Sequence, residues 1–186
     1  MQISEPAEYV ILGLLQTRSM HGYEMFQLIE NGILGQIIHL EMSQMYAFLK
    51  KLERLHYIEA ELSMQGTRPP RKIFHLTTMG QTIFHAWVAQ PEEKPRDIRI
   101  FFLLKLYFMQ QSASTEQIAH LLQQQIQACQ NFLIHLQAQE YATHLEQTDD
   151  ATFFGQVVLN SRIHQTRALL TWLDELQSAI AQSRQE

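Results

Sequence analysis

Residues 43–76 read SQMYAFLKKLERLHYIEAELSMQGTRPPRKIFHL, and this stretch decides the fold. Apolar residues in its first part recur three and four positions apart, which predicts a helix from Ser43, its expected N-cap, to Arg54. Two strand-like runs follow, joined by a Gly/Pro turn that carries several cations. The predicted strands are Tyr57–Ser63 and Lys72–Leu76. The stretch therefore predicts a helix followed by a β-hairpin with a basic tip.

The residues around this stretch predict further helices. Residues 8–16 form a largely buried first helix, and a second helix runs from Tyr23 to the end signal Asn31-Gly32. Another helix begins at Thr78. Three helices followed by a hairpin is the element order of a winged helix-turn-helix. We therefore expect a mainly α fold: a winged helix-turn-helix with a two-stranded wing, then a helical C-terminal region.

Positive charge is concentrated on the third helix and the turn after it. Six cations lie within 23 residues, opposed by three glutamates: Lys50, Lys51, Arg54, Arg68, Arg71 and Lys72. The helix cations alone would also fit a solvated helix face paired with Glu53. Their combination with a basic turn favours binding to nucleic acid, because the chain as a whole has a net charge of -5 and offers no general basic field.

A helix of this kind fits the major groove of double-stranded DNA, which is about 12 Å wide, while the wing can reach a neighbouring phosphate or the minor groove. We expect Gln44 and Lys50 to contact base edges and the wing cations to contact phosphates. The predicted DNA-contacting residues are Ser43, Gln44, Lys50, Lys51, Arg68, Arg71 and Lys72. The alternative is a winged-helix interaction module that binds a protein partner rather than DNA.

The second half of the chain has the composition of long helices. The segment Pro91–Pro95 predicts a domain boundary, and beyond it only one Gly and no Pro occur. We expect a DNA-binding domain at 1–92 and a helical dimerisation domain at 93–186. Apolar residues spaced as in a coiled coil or on one helix face predict a homodimer interface: Leu122, Ile126, Leu133, Leu136, Leu169, Leu173 and Leu176.

Other classes of protein are disfavoured. A single cysteine, Cys129, excludes a disulfide framework and a zinc site built on several cysteines, and the nine histidines include no pair at i, i+4, so we expect no metal and no cofactor. Glycine-rich nucleotide loops and a Gly-x-Ser-x-Gly elbow are missing, which argues against an enzyme. Without a signal peptide or the roughly 20 apolar residues that a membrane helix needs, we expect a cytoplasmic protein without a membrane partner.

The ordered motifs of residues 9–88 resemble the PadR family of transcriptional regulators. They are Ile11-Leu-Gly-Leu-Leu15, His21-Gly-Tyr-Glu24, Tyr46-x-x-Leu-x-x-Leu52, Tyr57-Ile-Glu59, Pro69-Pro-Arg-Lys72, Leu76-Thr77 and Gly80. The resemblance implies a sequence-specific regulator, a repressor, with an AphA-like extended C-terminal helical domain that dimerises. It also favours a phosphate contact for Tyr46, for which core packing is the alternative. Tyr23, at a helix N-terminus, has the same two interpretations.

The family resemblance further implies a small aromatic effector. In similar proteins such molecules bind between the winged-helix and helical regions. The aromatic candidates for this pocket, all of which would equally serve as core, are Trp87, Phe101, Phe102, Tyr107, Phe108 and Trp172.

Overall fold

The computed structural model describes residues 3–63, 71–145 and 151–182. Among them, the chain up to Ala89 and Leu103–Phe108 form one compact unit, and Gln90–Phe102 and the chain from Met109 onward form a second. The described residues are mainly helical, with a small antiparallel sheet in the first unit. The predicted fold class, a winged helix-turn-helix followed by a helical region, is confirmed.

The first unit contains the predicted order of helices and hairpin. Its elements are α1 (Pro6–Thr17), β1 (Met20–His21), α2 (Gly22–Glu30), α3 (Met42–Arg54), β2 (Ile58–Ser63), β3 (Arg71–Leu76) and α4 (Thr78–Val88), with a 3₁₀ turn at Ile33–Gln36. Strand β1 was missed by the sequence analysis because two residues carry no recognisable period. It pairs with β3, so that the strand order is β1-β3-β2 and Met20 lies opposite Phe74.

The core of this unit lies among α1, α3 and α4. Apolar side chains of these helices are buried because their periodic positions face one another: Val10, Ile11, Leu12, Met45, Leu49, Leu52 and Phe84. Phe108 joins this core beside Gly13, where an added Cβ would lie 2.4 Å from the Phe108 ring. Gly13 is therefore required for the close approach of α1 to Phe108.

A tight cap ends α3 and starts the wing. The Tyr57 N–H donates to the Leu52 carbonyl and the His56 N–H to the Glu53 carbonyl, each at 3.0 Å. These two bonds make a Schellman motif, which needs one residue in the left-handed region. His56 occupies that position with φ 57°. The motif turns the chain directly from α3 into β2.

The second unit is built around two long helices. Its elements are α5 (Pro95–Asp97), a π-helical turn at Ile98–Phe102, the last residues of α6 (Leu103–Ser112), α7 (Thr115–Leu145) and α8 (Ala151–Gln182). Helices α7 and α8 pack against each other. Gln125 of α7 adds a polar link, since its side chain accepts from the Glu92 N–H at 2.6 Å and donates to the Glu92 carbonyl at 2.9 Å.

Part of the predicted dimer interface is already buried within one chain. These side chains have little or no accessible surface: Leu122, Ile126, Leu136 and Leu173. Leu133, Leu169 and Leu176 are half-buried. The apolar pattern of these helices is thus accounted for by packing within one chain, and their contact with a second chain stays a prediction.

No helix within the described ranges is both long enough and apolar enough to cross a membrane.

Candidate nucleic-acid interface

One surface depression brings together residues of α2, α3 and β3. It encloses about 790 Å³, and five of its lining residues are predicted DNA contacts: Tyr23, Tyr46, Lys50, Arg71 and Lys72. The remaining lining residues are His21, Gly22, Leu49, Glu53 and Phe74. The start of α2, the outward face of α3 and the base of the wing therefore form a single surface, which we call the α3–wing face.

The two tyrosines of this face are not core residues. Tyr23 is 60% exposed and Tyr46 is 52% exposed. Gly22 lies under Tyr46, since a Cβ at Gly22 would be 3.2 Å from the Tyr46 ring and 2.9 Å from Leu49. The His-Gly-Tyr motif is thereby explained: the glycine lets α2 approach α3, and the tyrosine beside it stays accessible.

The start of α3 differs from the sequence prediction. Glu41, not Ser43, is the N-cap, and Ser43 is an exposed residue inside the first turn, so the predicted cap was wrong. The reason is a capping box, in which the Glu41 side chain accepts from the backbone of Gln44 and the Gln44 side chain accepts from the Glu41 N–H at 2.9 Å. A capping box needs Glu or Gln three residues after the N-cap. Gln44 stands at that distance from Glu41, whereas Tyr46 stands at that distance from Ser43.

This cap uses an atom that the predicted base contact needs. A glutamine reads adenine with both its carbonyl oxygen and its amide NH₂. The Gln44 oxygen is engaged by the Glu41 N–H. A bidentate base contact by Gln44 would have to break this bond, which leaves the exposed Lys50 as the better-placed candidate on α3.

Lys51 does not line the depression of the α3–wing face, although it lines a second one with Lys50 and Arg54. Its ammonium is 2.6 Å from Oε1 of Glu8, a residue of α1 whose side chain is completely buried. The other carboxylate oxygen of Glu8 accepts from the N–H groups of Ser4 and Glu5, each at 3.2 Å. The Lys51 side chain is only 23% exposed. The pair joins α3 to α1 inside the unit, so the geometry gives Lys51 a structural role.

Lys72 is also held by a carboxylate. Its ammonium lies 3.1 Å from both carboxylate oxygens of Glu53, which links β3 to α3. The carbonyl of Lys72 is 2.9 Å from Nδ1 of His21. The sequence indicated Glu53 only as an opposing charge and a possible partner of cations on its own helix, because the fold alone brings β3 beside it. Glu53 is therefore a member of the α3–wing face that the sequence did not identify.

A second acidic side chain near this face is paired as well. Glu24 follows Tyr23 in α2 and forms an ion pair with Arg18. The hydrogen bond from Arg18 holds the pKa of the Glu24 carboxyl below its usual value. Pairing of Glu24 and Glu53 with cations offsets part of the repulsion that these carboxylates would exert on phosphate groups. Lys50 and Arg71 are exposed on the α3–wing face. The predicted contact Arg68 lies outside the described residues.

The aromatic candidates for an effector pocket divide between the two units. In the first unit, Trp87 stacks on Tyr9 with ring centroids 4.2 Å apart, and Phe108 meets Phe84 edge to face at 5.4 Å. In the second unit, the buried Phe102 meets Trp172 edge to face at 6.4 Å. Phe101 is half-buried, and Tyr107 packs against Phe108. The effector pocket stays a prediction.

Neither metal nor thiol chemistry is indicated. Within residues 3–63, 71–145 and 151–182, no group of three or more His, Cys, Asp or Glu side chains could hold a metal ion. Burial raises the pKa of the Cys129 thiol, which disfavours the reactive thiolate. The α3–wing face presents exposed cations and tyrosine hydroxyls, which suit phosphate groups.

Comparison with known proteins gives two family matches and several relatives. Residues 11–86 match the family described as "Transcriptional regulator PadR-like family", and residues 98–181 match "Virulence activator alpha C-term". The chain is 29% identical over 178 residues to the negative transcriptional regulator PadR of Bacillus subtilis (strain 168), a match that covers 93% of this chain and 96% of that protein.

Two solved structures of Bacillus subtilis PadR are also similar. The complex with operator DNA is 26% identical with a TM-score of 0.47, covering 95% of this chain and 99% of the other. The complex with p-coumaric acid is 24% identical with a TM-score of 0.42, at the same coverages.

Proposed function

We propose that this chain, whose residues 11–86 match the PadR-like family of transcriptional regulators, binds operator DNA as a homodimer and represses transcription. One observation carries the DNA-binding part: Tyr23, Tyr46, Lys50 and Arg71 line one depression between α3 and the wing. These residues come from three elements, and their common feature is a donor group on an accessible surface.

In the proposed complex, α3 lies in the major groove and the wing lies along the neighbouring backbone. Lys50 contacts a base edge, and Arg71 with the two tyrosine hydroxyls contacts phosphates, which fix the position of the helix without reading sequence. Lys51 and Lys72 act indirectly, since they hold α3 against α1 and against β3. Residues 1–92 form the DNA-binding domain in this proposal.

Dimerisation is assigned to residues 93–186. Exposed apolar side chains on the first turns of α8 support it, because surface of this kind is normally covered in soluble proteins. They are Phe153, Phe154, Val157 and Val158, and the two phenylalanines are 70% exposed. Two copies of α3 in a dimer would read two half-sites of a palindromic operator.

Repression is supported by the curated relative, which is a negative transcriptional regulator and is matched over nearly its whole length. A dimer that covers promoter DNA blocks access by other proteins, which requires no further chemistry from the chain. A small aromatic effector is part of the same proposal.

The deciding experiment measures affinity of the full chain for duplex DNA between ~50 and ~200 mM salt. An operator is first selected from random duplexes and then compared with a scrambled duplex of equal length. Binding through phosphates releases counterions, so the affinity should fall by orders of magnitude over this range. A salt-independent affinity, or equal affinity for both duplexes, would favour the protein-interaction module instead.

A further inference from the structure

A second basic cavity lies entirely within the second unit. It is a partly open cavity of about 500 Å³, lined by three exposed cations, Lys94, Arg96 and Arg162, together with uncharged residues that include Pro95, Phe132 and Thr166. The cations come from the start of α5 and from the middle of α8, which are distant in sequence. The fold has thus brought them to one place.

The concentration of charge in this cavity is unusual for its surroundings. Residues 91–186 contain seven Lys/Arg and eleven Asp/Glu. Three of those seven cations line this one cavity, and none of the described residues lining it is acidic. Arg96 is paired with the adjacent Asp97, whose Oδ1 lies 3.5 Å from the Arg96 Nε, but Asp97 does not line the cavity. The three positive charges around this one space still repel each other, so their convergence does not stabilise the fold by itself. A bound anion would turn that repulsion into attraction.

The cavity also has the form of a small-molecule site. Its volume falls in the usual range of about 300–1,000 Å³ for such sites, and Pro95 and Phe132 add apolar surface. Arg162 is held in place, since its guanidinium lies 5.3 Å from the centre of the Phe132 ring. The buried Thr166 donates to the Arg162 carbonyl at 2.8 Å. A positioned cation loses less entropy on binding an anion than a mobile one.

We propose that this cavity binds a small organic anion with at least two negative charges, in which carboxylate or phosphate groups pair with Lys94, Arg96 and Arg162. A concave site of this size suits a small molecule better than a duplex, which presents a convex surface. The site is independent of the α3–wing face, and its test does not require that the chain bind DNA.

Binding is measured on the full chain by calorimetry, with citrate and with glycerol 3-phosphate as probes and acetate as a single-charge comparison. Sodium chloride keeps the ionic strength constant, so that general screening cannot imitate binding. We expect citrate or glycerol 3-phosphate to bind and acetate to bind at least tenfold more weakly. Binding of citrate alone identifies a polycarboxylate ligand, and binding of glycerol 3-phosphate alone identifies a phosphate ester.

Variants then locate the site. Arg162→Gln and Lys94→Gln should each weaken binding about tenfold or more, the usual effect of losing one charged hydrogen bond. Arg167→Gln is the matched control, because Arg167 is exposed on the same helix and does not line the cavity. Circular dichroism verifies that each variant is folded. If the Arg162→Gln variant does not fold, Lys94→Gln, whose position lies outside the long helices, still tests the site.

Three results would overturn the proposal. They are the failure of citrate and glycerol 3-phosphate to bind, equal affinity for acetate, and equal weakening by Arg167→Gln. If no probe binds and Arg162→Gln instead lowers the salt dependence of DNA affinity, the three cations contact the DNA backbone and the cavity is not a small-molecule site.

Discussion

The ammonium of Lys51 lies 2.6 Å from a carboxylate oxygen of Glu8, a side chain with no accessible surface. The neighbouring Lys50 is exposed and lines the depression of the α3–wing face. Successive residues of an α-helix point in directions about 100° apart, so two adjacent lysines can meet different surroundings. One joins two helices of the unit, and the other is exposed on the surface that we propose binds DNA.

This difference predicts that alanine substitution of Lys51 lowers stability, whereas alanine substitution of Lys50 weakens DNA binding. Lys51→Ala leaves the buried Glu8 carboxylate without its cation and should lower the free energy of unfolding by about 2–3 kcal/mol, less than for a fully buried pair. Lys50→Ala should change that free energy by less than about 0.5 kcal/mol and should weaken DNA binding. Urea unfolding and duplex titration of both variants check this. Equal stability losses would contradict the assignment.

Arg71 should position the protein without reading sequence. Arg71→Ala is expected to weaken binding to operator and scrambled DNA by a similar factor and to reduce the slope of log affinity against log salt by about one per half-site. Lys50→Ala provides the contrast, because loss of a base contact should cost about 1–3 kcal/mol of discrimination on the operator. Affinities at three salt concentrations separate the two. An unchanged slope for Arg71→Ala would remove it from the phosphate contacts.

Glu53 should limit non-specific binding. Its carboxylate engages the Lys72 ammonium through both oxygens, so Glu53→Gln releases this cation and removes a negative charge from the α3–wing face. We expect tighter binding to scrambled DNA and a steeper salt dependence. Glu59→Gln, which removes an exposed charge from β2 and does not line the depression, is the control. If both variants tighten binding alike, the effect is one of net charge only.

His56 should carry a backbone cost that glycine removes. It adopts φ 57°, a conformation that costs a residue with a Cβ roughly 1–2 kcal/mol, although glycine loses more entropy on folding. His56→Gly is therefore expected to stabilise the chain by up to about 1 kcal/mol. In His85→Gly, by contrast, glycine replaces an exposed residue inside helix α4, which should lower the free energy of unfolding by roughly 0.5 kcal/mol. Thermal unfolding of both variants gives the sign, and destabilisation by His56→Gly would disprove the strain.

The apolar first turns of α8 should form part of the dimer interface. Phe154→Asp places a charge where the proposal buries a phenylalanine, so the variant should sediment as a monomer at concentrations at which the parent chain is dimeric. Gln156→Asp adds the same charge to an exposed polar position of the same helix and should leave the dimer intact. A dimeric Phe154→Asp variant would place the interface elsewhere.

The local elements of the first unit could be predicted from the sequence alone. Helix periodicity, the Gly/Pro turn and the Asn31-Gly32 end signal act over a few residues, and they predicted α2, α3, the wing and their order. The gathering of cations on α3 and the wing followed from the same local pattern. Family motifs of the same residues indicated the family whose model matches residues 11–86.

Tertiary structure decided which of those cations are paired with a carboxylate. Lys51 and Lys72 look like Lys50 and Arg71 in sequence, yet Glu8 and Glu53 hold them. Their carboxylate partners lie far away along the chain, so no local pattern could identify the pairs. The capping box at Glu41, the short strand β1 and the burial of Leu122 within one chain were likewise outside sequence reasoning. Each depends on how two segments meet, because charge pairing and burial are set by distances in space rather than by positions along the chain.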